Sequence, residues 1–231
     1  MFFDPMYFIM LLPALAMAGI ATIITKSTFN KYARVRVSSG LTGAEAAERM
    51  LTRQGVGNVR IERVDGFLSD HYDPSSRTLR LSPGVYDSDS LSAIGVACHE
   101  AGHALQHAAH YAPLHLRSAL VPVTKIGTQA SYIIFFIGLF MRNPAVLWIA
   151  MALFSLAFIF TLVTLPVEWN ATARAKGFMV SSGIVSAQEQ ASAGRVLNAA
   201  FLTYVAAAMT ALLTLLYYLM RSGLLGGRRN D

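Results

Sequence analysis

Four runs of apolar residues, each close to the roughly 20 needed to cross a hydrocarbon core as a helix, constrain this chain more than any other feature. They fall at about 6–25, 119–141, 145–166 and 199–220. With 54% hydrophobic and only 14% charged residues, a purely soluble fold is excluded in favour of a mainly α, polytopic membrane protein with about four transmembrane helices. The first run lacks a basic stretch ahead of it and is followed by Lys26, Lys31, Arg34 and Arg36, so it reads as an uncleaved anchor rather than a signal peptide. Lys125 and Gln129 interrupt the second run, whose helix is expected to begin outside the bilayer. MRNP at 141–144 is a short polar turn with a helix-breaking proline, joining the second and third runs as a hairpin.

Charge sets the expected orientation. Eleven of the nineteen Lys and Arg residues lie between Lys26 and Arg117, whereas the 141–144 turn carries only Arg142. The positive-inside rule therefore puts 26–118 in the cytoplasm, with the amino terminus outside. Four crossings then put Arg228 and Arg229 outside, against the same rule; the larger upstream bias is the one followed. The expected layout is an anchor (1–25), a cytoplasmic α+β segment (26–118), a transmembrane hairpin (119–167), a second cytoplasmic segment (168–198), and a last helix with its tail (199–231). The net charge of +6 is not gathered with aromatic residues, which argues against nucleic acid as a partner. The single cysteine, Cys98, excludes an internal disulfide and any CxxC metal knuckle, and reads as a small buried helix residue.

Within the soluble segment, Thr42 as N-cap with Glu45 three residues on predicts a helix that stops near Gly55. VRIERV (59–64) and TLRLS (78–82) alternate as half-buried strands do, with a turn-rich stretch, GFLSDHYDPSSR, between them. DSDS at 87–90 offers N-caps for a long helix running to about His110. On that helix His99 and His103 are four residues apart, one turn, so both imidazoles leave the same face about 5–6 Å apart. Two imidazoles at this spacing can share one zinc ion (Zn2+), and Glu100 on the flank can act as general base without filling a coordination site. A lone HExxH also arises by chance, but Ala101 and Gly102 inside it and the apolar AIGVA before it do not suit a wet helix surface.

A catalytic zinc site needs a third protein ligand and an open position. His107 is two turns beyond His99, too far along a straight helix, and a metzincin pattern would need glycine at 106 and histidine at 109, where the chain has Gln106 and Ala109. His107, His110 and His115 read as interfacial or supporting residues. The hairpin returns the chain to the same side, and the first acidic residue there is Glu168, costly at a membrane helix end unless it is used. Its alternative is a carboxylate pairing with Arg174; Glu189, in a polar stretch, is a weaker candidate ligand.

DHYDP forms a dense polar cluster between the strands. Asp73 before Pro74 suits a turn cap as well as a supporting role. His71 or Tyr72 can supply a hydrogen bond to a tetrahedral oxyanion, and the TLRLS strand can offer its edge to an extended peptide.

GLTGAEAA, DHYDPSSRTLRLS, HEAGHALQHA with YAPLHLR after it, and LPVEWNA together resemble the bacterial membrane zinc metallopeptidases of the YugP type, over nearly the whole chain. The resemblance implies a membrane-integrated gluzincin-like peptidase, with His99, His103 and Glu168 as zinc ligands and Glu100 as base. Two positions depart from the pattern. The family commonly has an EFDAS-like run where this chain has EWNAT, and in related HtpX-like peptidases an aspartate four residues after the ligand glutamate supports the site, where Thr172 stands here. Orientation of His99 or His103 by an aspartate is therefore expected from elsewhere, with Asp70 and Asp73 the candidates and Thr172 itself the third supporting candidate.

The reading that results is a membrane-embedded zinc endopeptidase with a small α+β cytoplasmic domain, acting on peptide or protein substrates at the lipid bilayer. The small-residue face AAAMTA of the last helix leaves room for a homo-oligomer or a membrane-protein partner. The alternative is a non-catalytic membrane scaffold whose zinc is structural, with His71 or Asp70 as a fourth ligand.

Overall fold

Each apolar run is the middle of a longer helix. The computed structural model describes residues 5–66 and 69–221, so Arg228, Arg229 and residues 67–68 of the GFLSD stretch lie outside the described residues. In chain order the elements are α1 (Pro5–Tyr32), α2 (Gly43–Arg53), β1 (Arg60–Arg63), β2 (His71–Asp73), β3 (Thr78–Leu81), α3 (Pro83–Tyr86), α4 (Leu91–Ala108), α5 (Ala112–Met141), α6 (Pro144–Ser181) and α7 (Ala187–Arg221). Within α1, α5, α6 and α7 lie four segments long and apolar enough to cross a membrane, and the protein is mainly α and polytopic. The 38 residues of α6 make it about 57 Å long at 1.5 Å per residue, nearly twice a hydrocarbon core. Its apolar run ends near Pro166, but the helix continues, because Ala171, Ala175 and Met179 give the polar second half a buried face.

The chain forms two compact units. One comprises Met1–Ile20, Leu116–Leu165 and Thr203–Asp231. Its packed centre is aromatic: Phe135 stacks on Tyr218 with ring centroids 4.0 Å apart, beside Leu147, Met151 and Phe154. Large apolar side chains such as Ile133, Phe136 and Phe140 face outward, as lipid contact requires.

The other unit comprises Ala21–His115 and Pro166–Leu202. Here α2 starts at the expected capping box, Thr42 Oγ1 accepting from the Glu45 N–H and Glu45 accepting from the Thr42 N–H at 2.8 Å. Its buried face, Ala46, Ala47, Met50 and Leu51, packs on α4. Much of this core is alanine, from Ala93, Ala97, Ala101 and Ala104 on α4 to Ala175 and Ala193, so helix backbones approach closely instead of being held apart by large side chains. A second capping box starts α7, and Glu189 in it also accepts from the Ser38 N–H and hydroxyl, which ties the 38–39 turn to that helix start.

The sheet departs from expectation in two ways. The DHYDP stretch is not all turn: His71–Asp73 is a strand, antiparallel to β3, and only residues 74–77 form the connection. The order is β1-β3-β2, with β1 parallel to β3, so TLRLS is the central strand. Both of its edges are already hydrogen-bonded, and it cannot present one to a peptide. Its side chains explain the placement: Leu79 and Leu81 are buried, while Arg80 is pinned outside by Glu62 at 3.6 Å and Asp73 at 3.3 Å.

Candidate metal centre

Ser90 starts α4 by accepting from the Ala93 N–H at 3.3 Å, and the apolar run that follows buries one side of the helix. That fixes which face His99 and His103 share; their rings meet edge to face with centroids 4.9 Å apart. Gly102 brings α6 to them. A Cβ at this position would lie 2.7 Å from the Ala171 carbonyl oxygen, closer than such atoms come, so only glycine permits this approach. Ala171 is three residues, about one turn, beyond Glu168 on α6, and the contact sets Glu168 over the histidine face.

There Glu168 Oε2 lies 3.1 Å from His99 Nε2 and 3.5 Å from His103 Nε2. Glu168 and His103 are buried and His99 partly so. Ligand atoms of all three residues fall within 4.8 Å of one another, so the group could hold a metal ion, and among the described residues no fourth His, Cys, Asp or Glu joins it. Two imidazoles and one carboxylate suit zinc, and three protein ligands leave a coordination position open.

The remaining ring nitrogens are also held. An arginine Nε–H can only donate, so the atom of Asn170 that Arg174 Nε meets at 2.8 Å is its carbonyl oxygen. Gln106 Nε2 donates to that same oxygen at 3.0 Å and to the Val167 backbone carbonyl at 2.7 Å. The Gln106 carbonyl oxygen is then what faces His103 Nδ1, 2.9 Å away, and that nitrogen must carry the proton. Nε2 is the nitrogen left to face Glu168, and the one whose lone pair could bind a metal. For His99 the partner is Thr172 Oγ1, 3.3 Å from Nδ1. A hydroxyl can donate or accept, so this contact holds the ring without dictating its tautomer, as an aspartate would.

A family model described as "Putative neutral zinc metallopeptidase" matches residues 7–223. The chain belongs to that family. It is 45% identical over 216 residues, 93% of this chain and 96% of the relative, to a Bacillus subtilis (strain 168) protein named "Putative membrane protease YugP". No solved structure matches it. Zinc is the cofactor that such a metallopeptidase requires, and the His99, His103 and Glu168 cluster is where this member could bind it.

Glu100 stands beside the cluster, half-buried. Burial pushes its carboxyl above the usual range, against the pull of His103 and His99, while Glu168 and Asp70 add to the rise. The other residues singled out by sequence are distributed differently. Asp70 accepts from the Ser82 N–H at 2.7 Å and from its hydroxyl. Asp73 spends its carboxylate on the turn, accepting from the Ser75 N–H and the Ser75 and Ser76 hydroxyls, which with Arg80 hold its pKa well below the ordinary value. Of the three supporting candidates, Thr172 is hydrogen-bonded to a ring nitrogen of His99, Asp70 and Asp73 have the partners just described, and the partner of His103 is Gln106. His71 has its ring nitrogens on the Ser69 carbonyl, at 2.7 Å, and Arg80, at 3.5 Å. Tyr72, alternating to the other face of β2, places its hydroxyl 2.8 Å from His107 Nδ1 on α4. Gln106 and Asn170 were missed as functional residues. Their only signals are spacings: three residues past His103 and two past Glu168.

Proposed function

We propose that the protein is a membrane-integrated, zinc-dependent endopeptidase whose ligands are His99, His103 and Glu168 and whose general base is Glu100. The observation that carries this reading is the convergence of two imidazole Nε2 atoms on one buried carboxylate oxygen, with Glu100 beside them and no fourth ligand among the described residues. His99, His103 and Glu168 would hold the zinc, whose chemistry there would be to acidify water and polarise the scissile carbonyl. Glu100 takes a proton from the attacking water as its oxygen bonds to the carbonyl carbon, then delivers that proton to the amide nitrogen as the C–N bond breaks. Gln106 and Thr172 keep the two rings in place through the turnover. Tyr72, the one of the two oxyanion candidates on the α4 side of β2, donates to the developing oxyanion; burial raises its pKa, so its O–H stays protonated. The basic segment 26–118 and the returning segment 168–198 face the cytoplasm, where substrates are peptides or membrane proteins near the bilayer surface.

Glu100→Gln tests the assignment. The variant should keep stoichiometric zinc and lose at least about a hundredfold in cleavage of an unfolded protein substrate. Loss of zinc together with activity, or activity equal to wild type, would remove Glu100 from the role. A purely structural zinc would leave both proteins inert.

A further inference from the structure

One turn beyond His103, about 5.4 Å along α4, a cavity of about 530 Å³ opens, lined by none of His99, Glu100, His103 and Glu168. Its walls are Ala104 and His107 of α4, His110 just after it, Tyr72 of β2, Arg77 before β3, and the 55–59 segment after α2. Among the described residues no acidic one lines it. Arg77 has no carboxylate within 4.0 Å among the described residues, whereas Arg80, on the strand that follows, has two. Arg77 and His110 also sit at left-handed backbone angles, φ 49° and 51°, where glycine is more at ease. Two side chains capable of positive charge are thus kept at backbone positions that favour having none, and both line the same cavity. His107, between them, is pushed below its ordinary pKa, first by burial and then by His115, Arg77 and His110.

We propose that this cavity is a subsite for a carboxylate of the peptide substrate, with Arg77 as its charged partner and His110 as a hydrogen-bond donor. The proposal rests on the proteolytic reading above. An extended peptide advances about 3.3 Å per residue, so a peptide bond placed at the metal ligands brings a side chain one or two residues away, or a nearby carboxyl terminus, to the cavity. The shared helix favours a peptide carboxylate over a free anion, because Ala104 directly follows the ligand His103.

The test uses full-length, zinc-loaded protein in detergent. Substrates are N-acetylated, C-amidated hexapeptides with glutamate at each position in turn, their glutamine counterparts, and glutamine peptides with a free terminal carboxylate. At one position glutamate should raise kcat/KM about tenfold over glutamine. Arg77→Asn, which tolerates the left-handed backbone, should bring that ratio to within about twofold of unity, and Arg77→Lys should retain most of it. An Arg77-dependent gain from the free carboxylate alone also supports the subsite, with the terminus as its source. Equal rates for every pair, or a preference that survives Arg77→Asn, overturns it. If no peptide is cleaved, the proteolytic reading fails separately and binding decides the cavity. Fluorescence anisotropy with Glu100→Gln protein should then show about tenfold tighter binding of a carboxylate peptide than of its neutral counterpart, lost in the double variant with Arg77→Asn. Equal affinities sink the proposal.

Discussion

His103 and His107 are one turn apart on α4, the same side chain on the same face, yet their surroundings differ in every respect that matters to a metal. His103 is buried, its Nδ1 proton is held by Gln106, and its Nε2 faces Glu168. His107 is half-buried, its Nδ1 meets the Tyr72 hydroxyl, and its ring lies edge-on to His115. The difference teaches that histidine spacing proposes a ligand, while the bond made by the other nitrogen and the arrival of a carboxylate decide it.

The comparison breaks most directly by deletion. His103→Ala should leave no stoichiometric zinc in the purified protein, whereas His107→Ala should leave zinc content unchanged; metal analysis of both, beside Glu168→Ala, reads this. Equal zinc loss in the His103 and His107 variants would erase the distinction. Next comes the approach of the two helices. Gly102→Ala puts a methyl against the Ala171 carbonyl and should cost about 1–3 kcal/mol of stability, with weaker zinc binding because Glu168 is displaced. Thermal unfolding and chelator competition measure the two effects, and an unperturbed Gly102→Ala protein would show that the contact can relax. Finer still, Gln106→Leu preserves the shape and removes the hydrogen-bond acceptor. Zinc affinity should fall about 10–100-fold with the fold retained, and an unchanged affinity would mean that His103 needs no such partner.

What could be read in advance follows physical locality. The Thr42/Glu45 box, the Ser90 cap and the HExxH face depend on residues within a turn of one another, and all three are where the pattern puts them. Glu168 was reachable because an apolar hairpin has to bring the chain back. Pairing order has no such local signature: nothing in TLRLS says that it will be flanked on both sides, and a three-residue strand such as β2 is too short to show alternation. Gln106 and Asn170 escaped for another reason. Neutral amides carry no charge to flag them, and their role exists only once α4 and α6 are side by side.

The smallest effect concerns the other face of β2. Asp73 is held below the usual carboxylate pKa by its turn hydroxyls, so its stabilisation is complete above the unfolded value of about 3.9 and is lost as pH falls toward the lower folded value. Asp73→Asn should therefore lower the melting temperature by about 3 °C at pH 7, with the gap constant down to about pH 4 and closing below it. A gap that widens in acid would reverse the sign assigned to this carboxyl, and loss of zinc in the same variant would return Asp73 to the metal site.

Gly102 finally bears on how proteins of this build can be recognised. A five-residue search string with two open positions treats Ala101 and Gly102 as interchangeable spacers, but the second of them is where one helix touches the backbone of another. The informative signature is a histidine-glutamate pair, one small residue, an obligatory glycine and the second histidine, followed three residues later by a side chain able to accept a hydrogen bond from it. A genome scan written that way selects for the arrival of the third ligand without mentioning it, since a chain lacking the glycine could carry both histidines and still have no room for α6.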